Sequence, residues 1–165
     1  MRYVVDAPMV AHLWAHQSQD SARNGRNFYF EGKDIYSYGS HFRCASVETN
    51  QQGQRAYLVT TRTYSNTTCK HMGMVRKAIP CGERIFYTPR SVSLHNDRLS
   101  ENSYYESAYY IVDQVEKISE YINAQQKSRT QNYTEQVEEC LLNIGRWIEF
   151  WGLDKRQKSA TGRWL

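Results

Sequence analysis

The apolar positions of the chain change period twice, from helical to alternating and back to helical. Val10, Leu13, Trp14 and Gln17 share one helical face; Asp6 or Ala7 stands at the cap and Pro8 in the first turn, so a helix is predicted from Pro8. Residues 18–26 are polar, contain Gly25 and read as a loop. Two runs, 27–31 and 34–38, then flank Gly32-Lys33. That is the spacing of a two-residue hairpin with glycine first, as a type II′ turn favours. Strand alternation puts Phe28 and Phe30 on one face and Tyr29 on the other. Residues 42–48 and 56–63 predict two further strands joined by a loop over 49–54; the second is rich in β-branched residues.

A short helix is predicted over 68–78, with Asn66, Thr67 or Thr68 as its cap, Cys69, Met72, Val75 and Ile79 as its apolar stripe, and Pro80 as its end. Residues 84–88 read as a fifth strand and 91–94 as a sixth.

The strongest periodicity comes last. Tyr104, Ala108, Ile111, Val115, Ile118 and Ile122 step alternately by four and three residues, as do Val137, Leu141, Ile144, Ile148 and Trp151. Ser103 with Glu106, and Asn132 with Glu135, have the spacing of capping boxes, and Gly152 suits a C-terminal cap. The short polar link 127–131 makes the two helices antiparallel, with the apolar steps as the expected seam between them. Together these elements predict an α+β fold: a small antiparallel sheet with short helices plus a C-terminal antiparallel helical hairpin. The expected organisation is a single domain over 1–165, with a body at 1–99, the hairpin at 100–153 and a basic tail at 154–165.

Charge sharpens this division. The chain has 165 residues and a net charge of +4. Residues 1–100 carry 13 Lys/Arg against 7 Asp/Glu, residues 101–154 carry 4 against 10, and residues 155–165 carry 4 against none. A basic body, an acidic hairpin and a basic tail are three electrostatic units that bear on partners rather than on fold. No segment has the roughly 20 apolar residues of a membrane span. The first residues have too short an apolar run for a signal peptide, so a cytoplasmic location is expected. The four cysteines, Cys44, Cys69, Cys81 and Cys140, are widely spaced with no CxxC, and read as buried thiols. Phosphate-loop, dinucleotide and serine-hydrolase motifs are absent, which disfavours those chemistries.

Four constellations could carry function. Arg and Lys residues over 23–90 interleave with tyrosines, a mixture that can neutralise phosphates and stack unpaired bases. The candidate contacts are Tyr36, Tyr38, Arg43, Arg62, Lys70, Arg76 and Lys77; the competing reading is a solvated sheet face whose tyrosines belong to the core. His41 and His71, each near hydroxyls and cations, could serve as general base and general acid in metal-independent RNA cleavage. Both also fit as structural histidines at loop and helix ends. His12 and His16 lie four apart on a helix but lack the glutamate of HExxH, so no metal and no cofactor is expected. The acidic hairpin could face a basic partner, or dimerise through its seam and the aromatics Trp147, Phe150 and Trp151; an ordinary solvated helix surface is the bland alternative.

Three motifs in order also carry a resemblance. Asn27-Phe28-Tyr29-Phe30-Glu31-Gly32, then Tyr36-Ser37-Tyr38-Gly39-Ser40-His41-Phe42, then Tyr64-Ser65-Asn66-Thr67-Thr68-Cys69-Lys70-His71 follow a helix with Leu13-Trp14-Ala15-His16-Gln17. Over residues 12–80 the chain resembles small uncharacterised accessory proteins of bacteriophages and plasmids. The resemblance implies a mobile-element setting. A non-enzymatic accessory protein is then expected, binding RNA, another nucleic acid or a host nucleoprotein, including a host-defence effector that it would inhibit in an anti-CRISPR-like manner. A metal-independent ribonuclease and a homo-oligomeric assembly module are the alternatives.

Overall fold

The computed structural model describes residues 3–40, 42–88 and 102–153. The expected strand over 91–94 and the basic tail from 154 lie outside the described residues. The chain divides into two compact units, Met1–His95 and Asn96–Leu165.

The first unit begins with α1, Ala7–His16. Asp6 is its cap: Oδ1 accepts a hydrogen bond from the Met9 backbone N–H at 2.9 Å. Gln17 ends the helix in the left-handed region at φ 49°. Among the described residues six strands follow in spatial order equal to chain order: β1 Ser21–Asn24, β2 Phe28–Glu31, β3 Asp34–Ser37, β4 Arg43–Thr49, β5 Arg55–Thr60 and β6 Arg84–Thr88. Neighbours from β1 to β5 pair antiparallel. β6 pairs parallel to β5, because α2, Asn66–Ala78, carries the chain back between them. The expectation of an antiparallel sheet is corrected at that one edge.

The β2–β3 turn forms as expected. Glu31 pairs with Asp34, and Gly32 has φ 54° while Lys33 stays on the negative side, the type II′ pattern. β1 replaces the loop predicted over 18–26. Of its residues only Ala22 is fully buried, so an apolar period never develops, and backbone pairing to β2 decides the conformation.

Both helices pack on one face of the sheet. Val10, Ala11, Trp14 and Ala15 of α1 and Met72, Val75 and Ile79 beside them join Phe28, Phe30, Ile35, Ala45, Val47, Tyr57 and Val59 in one core. Fully burying each large apolar side chain contributes roughly 1.5–3 kcal/mol. The polar ends of the aromatics are satisfied: Trp14 Nε1 donates to the Lys33 carbonyl at 2.7 Å and Tyr57 donates to the Ala15 carbonyl at 2.7 Å. Ser65, not Asn66, Thr67 or Thr68, caps α2, accepting from the Thr68 backbone N–H at 3.2 Å. The helix therefore starts earlier and its buried stripe turns: Thr68, His71, Met72 and Val75 are inside and Cys69 is exposed. Cys81 is exposed too, so only Cys44 and Cys140 fulfil the buried-thiol expectation; burial pushes the Cys44 thiol up to about 12.

The second unit is the helical hairpin, α3 Asn102–Lys127 and α4 Thr134–Trp151. α3 already includes Ser103, which therefore lies inside the helix instead of capping it. At α4 the cap position is Tyr133; Asn132 sits one residue earlier and accepts from the Thr134 backbone N–H at 3.0 Å, so the expected box is replaced by a shorter Asx-type contact. Gly152 ends α4 at φ 61°.

The seam between these helices is not the predicted one. Tyr110 and Gln114 are buried on α3, and Cys140, Trp147 and Phe150 on α4. The Tyr110 and Trp147 rings stack at 4.2 Å, and Tyr121 stacks on Tyr133 at 5.9 Å. Val115, Ile122 and Leu141 of the predicted seam are instead 51%, 47% and 56% exposed. The side chains of Tyr104 and Ala108 lie outside those described. The expectation that Trp147 and Phe150 are surface aromatics is likewise corrected, since at 1% and 0% exposure they are core, while Trp151 is half-buried.

Candidate nucleic-acid interface

The structure separates the seven candidate contacts into two groups. Tyr36 and Arg43 stand together on β3 and β4, paired across the strands. Tyr36 is half-buried and stacks on Tyr29 at 5.2 Å. Burial first, then the Asp34 carboxylate, pushes its phenol up to about 12, so it stays neutral. Arg43 is 5% exposed and places Nη1 2.8 Å from Asp34 Oδ1. It is a structural ion-pair residue, withdrawn from any phosphate at the surface. Sequence could not reveal this, because Arg43, opposite Tyr36, reaches Asp34 two residues away on β3 only through the strand register.

The second group surrounds α2. This helix contains no acidic residue. Lys70, Arg76 and Lys77 are exposed on it, and Arg62 is exposed in the segment before it. Among the described residues none of these four is in an ion pair. Gly73 lies three residues after Lys70 and four before Lys77, hence on their face. A Cβ added at Gly73 would meet nothing within 4 Å, so the glycine leaves a gap in the side-chain layer between the two ammonium groups. A mid-helix glycine costs about 1 kcal/mol relative to alanine; the packing of the unit does not explain it.

Three exposed tyrosines rim this helix, two of which were not among the candidates. Tyr38 is 48% exposed, with its ring centroid 6.4 Å from His71. Tyr64, 67% exposed, precedes the helix cap and meets Phe42 edge-on at 5.2 Å. Tyr87, 45% exposed on β6, lies under the Arg76 guanidinium at 5.7 Å. Their exposure depends on tertiary placement: Tyr64 and Tyr87 sit in segments whose periodicity does not mark an outward ring. Tyr38 is held outward by its backbone. Its φ is 58° and that of Gly39 is 82°, while the Tyr38 N–H donates to the Asn27 carbonyl at 2.7 Å. A left-handed tyrosine is uncommon and strained by roughly 1–3 kcal/mol.

Beneath this rim His71 is 8% exposed. Its Nδ1 is 2.8 Å from Ser37 Oγ, and its ring stacks on Phe28 at 4.3 Å. Ser37 is 0% exposed, so the hydroxyl that this histidine meets is enclosed within the unit. Burial holds its pKa below the ordinary 6.5, which keeps it neutral. His41, the other histidine of the cleavage hypothesis, lies outside the described residues. His12 and His16 are exposed and their rings approach to 4.1 Å, with His16 Nδ1 2.9 Å from the His12 carbonyl. Among the described residues no group of three or more His, Cys, Asp or Glu side chains gathers to hold a metal ion.

No protein family, curated protein or solved structure matches this chain. No described helix is long and apolar enough to cross a membrane.

An additional cleft of about 250 Å³ lies at the β1–β2 edge, lined by Tyr3, Arg23, Arg26, Tyr29 and Glu31 among others. It adds two guanidinium groups beside Tyr29, but Glu31 shares the lining and offsets part of their field.

Proposed function

We propose that the first unit binds nucleic acid across α2, with Arg62, Lys70, Arg76 and Lys77 meeting phosphates and Tyr38, Tyr64 and Tyr87 stacking unpaired bases. The observation that carries this reading is an acid-free helix whose cations have no carboxylate partner among the described residues and which is rimmed by exposed tyrosines. Cations supply the sequence-independent attraction through counterion release. Aromatic faces add roughly 1–3 kcal/mol per stacked base, and only unpaired bases can use them. Single-stranded RNA or DNA is therefore the preferred ligand class. The gap at Gly73 lets a sugar–phosphate backbone approach the helix closely.

The resemblance to phage and plasmid accessory proteins extends this proposal to a mobile-element role. The bound nucleic acid would then be free, or part of a host nucleoprotein such as a defence effector, and the protein would act by occupancy without chemistry. A cleavage role has weaker support, because His71 is buried against Ser37 and Phe28.

Mobility-shift titration with a short single-stranded oligouridylate and its duplex counterpart tests the proposal. Wild type is expected to prefer the single strand. Lys70→Glu with Lys77→Glu is expected to weaken binding at least tenfold, and Tyr64→Ala to reduce the single-strand preference. Unchanged affinity in the double charge reversal would overturn the reading.

A further inference from the structure

Among the described residues the hairpin leaves its most regular apolar pattern only partly covered. On α3, Ile111, Val115, Ile118 and Ile122 form one stripe at four–three spacing; on α4, Val137, Leu141, Ile144 and Ile148 form another. Val115, Ile122 and Leu141 are about half exposed or more, at 51%, 47% and 56%, and the other five are partly exposed. Each stripe lies about a quarter-turn from its helix's buried face, in the direction in which the chain advances. Because the helices run antiparallel, those two rotations bring both stripes to the same side of the hairpin. The result is one apolar face, two helices wide, with heptad spacing on both helices.

We infer that this face binds the same face of a second copy of the chain, giving a four-helix dimer through the hairpins. Three features favour a second copy. The centre of the face is uncharged: its outer border is Val112, Ser119 and Gln126 on α3 and Thr134, Glu138 and Gly145 on α4, while Glu116, Glu120 and Glu149 lie farther round the helices. An acidic hairpin can thus approach its own copy with its carboxylates at the rim and none in the centre, whereas a basic partner would find no complementary charge at that centre. The size also fits. The 18-residue α4 is about 27 Å long, and two helices about 9 Å apart present a width of about 20 Å. That face is of the same order as the ~800 Å² per partner of a standard interface.

Gly145 is the third feature. It is exposed in the middle of α4 on the border of this face, and an added Cβ would meet nothing within 4 Å. The hairpin alone therefore has no use for a glycine there, at a cost of about 1 kcal/mol against alanine. A helix of the second copy crossing at Gly145 would use the missing side chain for close approach.

Sedimentation equilibrium of the full chain, with circular dichroism as the fold check, tests this dimer. Wild type is expected at about twice the 19.4 kDa chain mass, with tighter association as salt screens the acidic surfaces. Val115→Asp with Leu141→Asp alters side chains already half exposed, so helicity is expected to persist while dissociation rises at least a hundredfold. Gly145→Leu, which adds bulk without charge, is expected to loosen the dimer at least tenfold. Glu116→Gln, off the face, is expected to leave it intact. A monomeric wild type at high concentration, or a dimer that survives both face variants, overturns the inference.

Discussion

The two units of this protein use the same kind of sequence signal in opposite ways. In the first unit apolar periodicity points inward: Val10 and Trp14 of α1, Phe28 and Phe30 of β2, and Met72 and Val75 of α2 all enter one core. In the hairpin the most regular apolar stripe is the more exposed one, and the stacked rings of Tyr110 and Trp147 join the helices. Periodicity thus identifies an apolar face, but says nothing of whether that face enters the core of its own unit. The charges repeat the lesson. Arg43 is consumed by an internal ion pair with Asp34, while Lys70, Arg76 and Lys77 remain available.

Substitutions sharpen this contrast, beginning with the core. Trp14→Ala removes a fully buried ring and its hydrogen bond to Lys33, and is expected to cost about 3–5 kcal/mol in chemical denaturation. A loss under about 1 kcal/mol would show that α1 does not anchor the sheet.

Arg43→Ala leaves Asp34 without its guanidinium and is expected to cost about 2 kcal/mol or more. Its effect should appear in the denaturation midpoint, with oligouridylate affinity in the folded protein changed less than by Lys77→Glu. The opposite ranking would return Arg43 to the interface.

The histidine core supplies a pH test. The folded-state pKa of His71 is lowered from 6.5, so the unfolded chain binds its proton more readily. Its contribution to stability is therefore complete above about 6.5 and is lost as pH falls from there toward the lower folded value. Unfolding free energy measured between neutral and mildly acidic pH is expected to fall, and His71→Asn is expected to flatten that part of the profile. An equal slope in the variant would assign the acid sensitivity to another group.

At the small end, Leu141→Ala is expected to change the stability of dilute, monomeric protein by under about 0.5 kcal/mol, because the side chain is already largely in water. Gly145→Ala is expected to raise it by up to about 1 kcal/mol. A Leu141 variant as costly as a core substitution would mean that the outward stripe is covered within the monomer.

Much of the architecture was legible because local signals agreed. Asp6 before Pro8, Gly32-Lys33 between alternating runs, and the four–three steps after residue 103 each mark an element by a distinct physical rule. β1 was illegible because its residues are mostly polar and its conformation comes from pairing with β2. The parallel placement of β6 was hidden as well, since strand order is set by how α2 packs. Of the candidate surface, Lys70, Arg76 and Lys77 could be read from a helix without acids. Tyr64 and Tyr87 could not, because only the fold puts their rings beside that helix. His71 stands among hydroxyls in the sequence, but which hydroxyl it meets is set by the fold: Ser37, from β3, which is fully buried.

The most direct test of the α2 surface is fluorescence anisotropy of labelled single-stranded oligouridylate, titrated with the full chain between about 50 and 200 mM salt. Each phosphate contact on a single strand contributes a slope of about −0.7 in log affinity against log salt. Three contacts from Lys70, Arg76 and Lys77 therefore predict a slope steeper than about −2, reduced toward zero when all three are changed to glutamate. Saturable binding with that slope, lost in the triple variant, is the expected result. Absence of binding at the lowest salt, or binding indifferent to salt and to the three substitutions, would contradict the account.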